Sequence, residues 1–292
     1  MIQTLSEIRA SLAARGIRPK HRYGQNFLHD GNQMARIVAA ARIVPDELVL
    51  EVGAGTGGLT ERLLDAGARV VAVEIDRRLE PILQERLGDR GDRVRLVIAD
   101  VLASKHQINP QVIEAIQQAG RCQARTSDGS PRSPVEFKLI ANLPYNVGSP
   151  LLANLAIEDR VIRMTLAVVL LQREVAQRLT APPGTKQYGP LGVLIQAMYE
   201  VQCIGTVSPS CFWPRPQVES AIVRLRRRAV PATDDPTALA ETLQRLFSTR
   251  RKQVGTILGR DHHLPQGIDP SVRPEDLTVE QIVTLSRSWR PR

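Results

Sequence analysis

The sequence predicts an α/β protein in which an open, largely parallel sheet carries helices, followed by a small helical domain at the C-terminal end. Three observations carry that prediction. Strand-like apolar runs alternate with segments of helical period through most of the chain, a glycine-rich turn joins one such run to a helix, and beyond Pro231 the apolar residues recur at helical spacing. With 292 residues and 42% hydrophobic content, the chain can hold a sheet domain of this type and a smaller one beside it.

The first core strand is Leu48-Val49-Leu50-Glu51-Val52, which opens into Gly53-Ala54-Gly55-Thr56-Gly57-Gly58, after which Leu59, Leu63 and Leu64 recur at helical spacing. Glycines there let the backbone turn sharply and approach a ligand closely, with helix N–H groups directed toward it. The loop fits G-x-G-x-x-G through Gly53, Gly55 and Gly58, but Leu59 stands where a phosphate-binding loop needs lysine. Residues 69–73 form the next strand and end at Glu74, a carboxylate about 20 residues beyond Gly53 that can accept from both hydroxyls of a ribose. A nicotinamide or an adenosyl cofactor satisfies this much equally well. A third strand over 94–99 ends at Asp100, which can accept from an adenine amine or serve as a turn residue or helix cap.

A helix is expected over 110–119, then a polar, turn-rich stretch at 121–134 that reads as an inserted, flexible surface loop. The apolar run 137–141 then leads into Asn142-Leu143-Pro144-Tyr145. An exocyclic amine on a nucleobase is a poor nucleophile because its lone pair is delocalised into the ring. Asn142 offers a carbonyl to one amine hydrogen and the Leu143 backbone carbonyl can take the other. Pro144 stiffens the turn, and Tyr145 presents a face on which an unstacked base can lie. An ordinary strand-to-helix turn would use the same residue types; the succession of strand ends bearing Gly53, Glu74, Asp100 and Asn142 favours a site, because ligands of open α/β sheets gather at that edge.

Further along, a helix over 150–156 precedes a strand over 165–171 that is apolar throughout, as a strand buried on both faces would be. Helices follow over 174–179 and 191–198, the first stopped by Ala181-Pro182-Pro183-Gly184, and strands over 201–207 and 221–225. Leu239, Leu243, Leu246 and Phe247 start the helical domain, entered through 229–236 and continued by Val254, Ile257 and Leu258 and by residues 279–285. The expected division is therefore a catalytic domain, 1–228, with an N-terminal arm, 1–30, and a helical domain, 229–292.

A net charge of +9 suits a polyanionic partner. Basic residues cluster at Arg224, Arg226, Arg227 and Arg228, at Arg250, Arg251 and Lys252, and in the arm at Arg15, Arg18, Lys20, His21 and Arg22, where they could form a phosphate-gripping rim. Cys122, Cys203 and Cys211 follow no C-x-x-C pattern and the histidines no ligand spacing, so neither a disulfide framework nor a metal site is expected. His262 and His263 read as solvated. No run reaches membrane-spanning length and the first residues lack a secretory core, so a cytoplasmic location is expected.

Several segments together resemble the ribosomal RNA adenine dimethyltransferases of the KsgA type. They are Gly24-Gln25-Asn26-Phe27-Leu28, the stretch 51–60, Glu74-Ile75-Asp76, Asn142 to Tyr145, Gln172-Arg173-Glu174-Val175-Ala176, the segment 212–220 from Phe212 to Ser220, and Phe247 to Lys252. Their order matches the family over nearly the whole chain, with Ala54 where a proline is usual and Glu219 where an aspartate is usual. The resemblance implies a Rossmann-like fold and S-adenosylmethionine as cofactor. It places Asn26 and Leu28 at the methionine side, Gly53 and Gly55 beneath the cofactor, Glu74 at its ribose, Asp100 at its adenine, Ile75 and Val101 among the residues that bind the cofactor, and Asn142 between cofactor and substrate. Tyr145 and Phe212 would sandwich the target base. The implied reaction is two methyl transfers to each of two adjacent adenosines in the 3′-terminal hairpin loop of 16S ribosomal RNA, within the immature small subunit, by a monomer that needs no metal. An NAD-dependent oxidoreductase would leave the amine clamp unexplained; a relative acting on large-subunit RNA or DNA, or a chiefly ribosome-assembling role, would share the pocket.

Overall fold

The computed structural model describes residues 3–121, 133–259 and 264–289; residues 122–132, most of the expected inserted loop, and His262 and His263 lie outside the described residues. The arm begins with α1 (Leu5–Ala13), whose first turn is closed by a reciprocal pair: Glu7 N–H donates to Thr4 Oγ1 and Thr4 N–H to the Glu7 carboxylate. A two-residue strand, β1 (Phe27–Leu28), precedes α2 (Gly31–Ala41), which is capped by Asp30 accepting from the amides of Asn32 and Gln33.

Strands and helices then alternate as β2 (Leu48–Val52), α3 (Gly58–Asp65), β3 (Arg69–Glu74), α4 (Glu80–Leu87) and β4 (Val94–Ile98). A small antiparallel pair, β5 (Leu102–Ser104) and β6 (Gln107–Ile108), comes next, followed by α5 (Pro110–Arg121), β7 (Val135–Asn142), α6 (Gly148–Ile157) and β8 (Ile162–Gln172). The chain continues through α7 (Arg173–Thr180), α8 (Pro190–Met198), β9 (Tyr199–Val207), β10 (Phe212–Trp213) and β11 (Ser220–Arg227) to α9 (Pro236–Ser248), α10 (Val254–Leu258) and α11 (Val279–Ser288).

The main sheet runs β4-β3-β2-β7-β8-β11-β9, and the pairs from β4 through β8 are parallel. From β2 the chain steps outward to β4 and then returns to the other side of β2 at β7. Strand order reverses there, and the diverging connections leave a crevice beyond the carboxyl ends of those two strands. On one face, Val49, Val70, Ala72, Ile140 and Val168 pack against Met34 and Ile37 of α2 and Leu59 and Leu63 of α3. The register sets Glu51 beside Ala72 and Asn142 beside Leu170. Side chains alternate between faces along a strand, so Glu51, Glu74 and Asn142 lie on that same face.

Contacts divide the chain into two compact units, one running to Arg173 and including Cys203–Arg224, the other Glu174–Gln202 with the chain from Leu225 onward. The second unit takes α7 and α8 from mid-chain, because the apolar side chains Val193, Leu194, Ile195 and Ala197 of α8 are buried and α8 packs against α9 and α11. Within it, the buried Tyr188 hydroxyl donates to the Leu277 carbonyl at 2.9 Å. Among the described residues no helix is long and apolar enough to cross a membrane, and no cluster of metal-ligating side chains occurs.

Candidate active site

A cavity of about 300 Å³ opens where β2 and β7 part, and four strand ends reach it. Its floor is the turn after β2. Gly53 and Gly55 adopt φ of +81° and +60°, a region that favours glycine. A Cβ on Gly53 would stand 3.3 Å from Pro144 Cδ, and one on Gly55 would stand 3.1 Å from the Phe27 ring, so both glycines also keep the wall thin enough for a ligand to approach the backbone.

Glu74, 4% exposed, closes one side. Its Oε2 accepts from Gly55 N–H at 2.8 Å and its Oε1 from Asp76 N–H at 2.9 Å. Burial raises its pKa, and these backbone donors oppose the rise. Each carboxylate oxygen keeps a further lone pair, so the group is held in place while still able to accept from a ribose diol. Asp76, next on the same turn, anchors the arm: Gln25 Nε2 donates to it at 3.0 Å and Arg78 Nη2 at 2.6 Å. Burial works against its charge, but the bonds from Arg78 and Gln25 hold its carboxyl below the ordinary range.

Asn142 ends β7, and its Nδ2 donates to the Asn26 carbonyl at 2.9 Å. That bond assigns the amide's orientation and leaves Oδ1 as an acceptor. Tyr145 is half-buried, with its hydroxyl 3.2 Å from the Ser220 hydroxyl. Burial pushes the Tyr145 phenol up, the Ser220 bond partly offsetting it. Tyr145 also lines an adjoining groove shared by Arg22, Gln172 and residues 214–218.

The cavity brings together nearly all the residues expected from sequence. Asn26 and Leu28 from the arm, Gly53 and Gly55, and Glu74 with the exposed Ile75 line it. Asp100, Val101 and Asn142 through Tyr145 complete the lining. Asp100 also fills its turn role, its Oδ1 accepting from Leu102 N–H at 2.9 Å. Phe212 stands apart: it is 3% exposed, belongs to the core cluster with Leu28 and Cys211, and is not among the lining residues. The cause is pairing of β10 with β1, which sets Phe212 opposite Leu28 and Trp213 opposite Phe27.

Sequence reading assigns no role to Glu51, Ser220 or the Gln25–Asp76 link, although each lies inside a segment that carried the resemblance. Gln3 escapes altogether: its side chain lines the cavity and its Oε1 accepts from the Thr56 hydroxyl at 2.8 Å. The basic clusters prove to be partly structural. Arg226 pairs with Glu200 at 2.5 Å, Arg228 Nε donates to the Gln196 carbonyl, and Arg250 pairs with Glu275 while donating to the carbonyls of Thr185 and Lys186. Arg251 and Lys252 are exposed.

Fold and site define a methyltransferase of the Rossmann-like class. A solved dimethyladenosine transferase from Plasmodium falciparum superposes with a TM-score of 0.67 at 23% identity, over 89% of this chain and 95% of that one. The 23S rRNA methyltransferase ErmE does so at 0.63 and 26%, over 90% and 99%. A sequence profile of the ribosomal RNA adenine dimethylases matches residues 16–289, and the chain belongs to that family. Among its relatives, ribosomal RNA small subunit methyltransferase A of Thermotoga maritima is 38% identical over 94% of this chain and 87% of its own length. The protein of the same name from Phenylobacterium zucineum is 37% identical over 100% and 95%.

Proposed function

We propose that this chain transfers methyl groups from S-adenosylmethionine to the N6 amines of two adjacent adenosines in the 3′-terminal hairpin loop of 16S ribosomal RNA, giving N6,N6-dimethyladenosine within the immature small subunit in the cytoplasm. The observation that carries this is the single cavity shared by the glycine turn, Glu74 and Asn142.

The residues suit that donor. Gly53 and Gly55 form a cradle that any Cβ would narrow, Glu74 is fixed to receive a ribose, and Asp100 and Val101 bound the adenine end. When bound, S-adenosylmethionine supplies an electrophilic methyl group on a sulfonium. The protein then has to align the amine. Asn142 Oδ1 accepts one N6 hydrogen and the Leu143 carbonyl the other, which draws the nitrogen toward tetrahedral geometry and frees its lone pair. Tyr145 supports the base from one face. Such positioning is worth roughly 7–11 kcal/mol in favourable cases, and no strong general base is required, since the alkylated ammonium is acidic. Phe212 would join the base from the other face only by leaving its core cluster. Arg251 and Lys252 in the helical segment 229–292, with Arg22 beside the groove, are the basic side chains proposed to meet RNA phosphates.

Incubating the protein with labelled S-adenosylmethionine and unmethylated small subunits, followed by mass mapping of nucleosides, should place label on the paired adenosines. Label confined to cytosine, guanine or large-subunit RNA would overturn the assignment.

A further inference from the structure

A ring that offers a face to substrate cannot be packed on both sides, and Tyr145 lines both the cavity and the adjoining groove. The turn that carries it is closed: the Pro144 carbonyl accepts from the N–H groups of Val147 and Gly148 at 3.0 and 3.2 Å. That leaves the side-chain torsions, through which the ring could still swing and tilt. The handle that leaves both faces free is the far end of the ring, where the Tyr145 hydroxyl lies 3.2 Å from that of Ser220. Ser220 begins β11 and is 0% exposed. Its own place is set through its neighbour, since the Glu219 carbonyl accepts from Arg173 N–H at 2.9 Å and the Glu219 carboxylate pairs with the Arg173 guanidinium. Arg173 directly follows β8, which lies between β7 and β11 in the sheet. The hydroxyl that holds the ring is therefore mounted on the same sheet that carries Asn142, so ring and clamp share one rigid frame.

We propose that Ser220 is a positioning residue that fixes the plane of the Tyr145 ring, and that this tether serves chiefly the second of the two methyl transfers to each adenosine. This rests on the adenine-methylation reading of the cavity. In each transfer the amine nitrogen bonds to the methyl carbon, the electron pair of the broken sulfur–carbon bond stays on sulfur, and one N–H proton leaves to water. Before the first transfer two N6 hydrogens meet two acceptors, Asn142 Oδ1 and the Leu143 carbonyl, so the clamp alone defines the plane of the amine. After it a single hydrogen is left and one acceptor loses its partner. One hydrogen bond tolerates a broad range of directions and leaves the base free to rotate about it. The face of Tyr145 then supplies the missing constraint on in-line attack, and it does so only if the ring keeps its tilt.

Time courses with the full chain, unmethylated small subunits and S-adenosylmethionine, read as N6-methyladenosine and N6,N6-dimethyladenosine by nucleoside mass spectrometry, give a rate constant for each transfer. Loss of one neutral hydrogen bond corresponds to a factor of about three to ten. In Ser220→Ala and in Tyr145→Phe the ratio of the second rate constant to the first should fall by about that factor, and the monomethylated nucleoside should accumulate. The two substitutions remove the same bond from opposite ends, so the double variant should show the ratio of either single one. A serine that served only the fold would slow both transfers alike and leave the ratio unmoved. Tyr145→Phe leaves the buried Ser220 site untouched, so its ratio decides the matter even where Ser220→Ala unfolds. An unchanged ratio in Tyr145→Phe, or reductions that multiply in the double variant, would overturn the tether while leaving the methyl-transfer reading intact. A parent chain that puts no methyl group on adenosine would overturn that reading and this one with it.

Discussion

Asn142 engages two partners of different kinds, a backbone carbonyl of the arm through Nδ2 and, in the proposed reaction, the substrate amine through Oδ1. Replacing it with alanine removes a dipole aimed at charge that develops in the transition state, for which losses of about 10²–10³ in kcat are typical. Single-turnover methylation by Asn142→Ala should fall in that range, and a loss of less than tenfold would remove Asn142 from the clamp. Phe212 poses the opposite case. As a core side chain, Phe212→Ala should cost about 3–5 kcal/mol in urea unfolding. A variant that unfolds within 1 kcal/mol of the parent yet loses base binding would restore the sandwich. Glu51 sets a pH dependence of stability. With a folded value of about 8 against 4.5 unfolded, the acid is protonated in both states below pH 4.5. Between those values the unfolded chain releases a proton that the folded chain keeps. Stability therefore falls as pH rises, by up to roughly 5 kcal/mol, the loss complete above the folded pKa. Glu51→Gln should match the parent near pH 4 and exceed it at pH 8 in urea melts.

At the level of elements, what could be read in advance was what has a period. The runs at 48–52, 69–73 and 165–171 are continuous or alternating apolar segments, and the structure has strands at Leu48–Val52, Arg69–Glu74 and Ile162–Gln172. The pairing of β1 with β10 was not legible, because two-residue strands have no period and their partners lie far apart in sequence. That pairing is also why Phe212 departs from its expected place. The clusters of arginine were legible as charge but not as structure, since a carbonyl or carboxylate partner far along the chain leaves no local signal. Arg250, engaged with Glu275 and two carbonyls, should on replacement by alanine cost about 2 kcal/mol of stability. Arg251→Ala with Lys252→Ala should leave unfolding within about 0.5 kcal/mol and instead lower the salt dependence of RNA binding. An unchanged salt slope would take these side chains out of the RNA contact.

For the whole molecule, the strand order was never visible as such, yet its consequence was: the carboxyl ends that bear Gly53, Glu74, Asp100 and Asn142 converge because the sheet winds outward from one strand and resumes on its other side. The helical content of the second unit was partly hidden, as α7 and α8 are separated in sequence from α9 to α11 and only packing joins them.

The common facing of Glu51, Glu74 and Asn142 bears on how such a gene can change length. One codon added within β2, β3 or β7 would swing the acid or amide beyond it to the opposite side of the sheet, abolishing the site while sparing the fold's hydrophobicity. Codons added in the connections alter no such parity. Lineages of this protein can accordingly lengthen between α5 and β7, but must hold those three strands to fixed length.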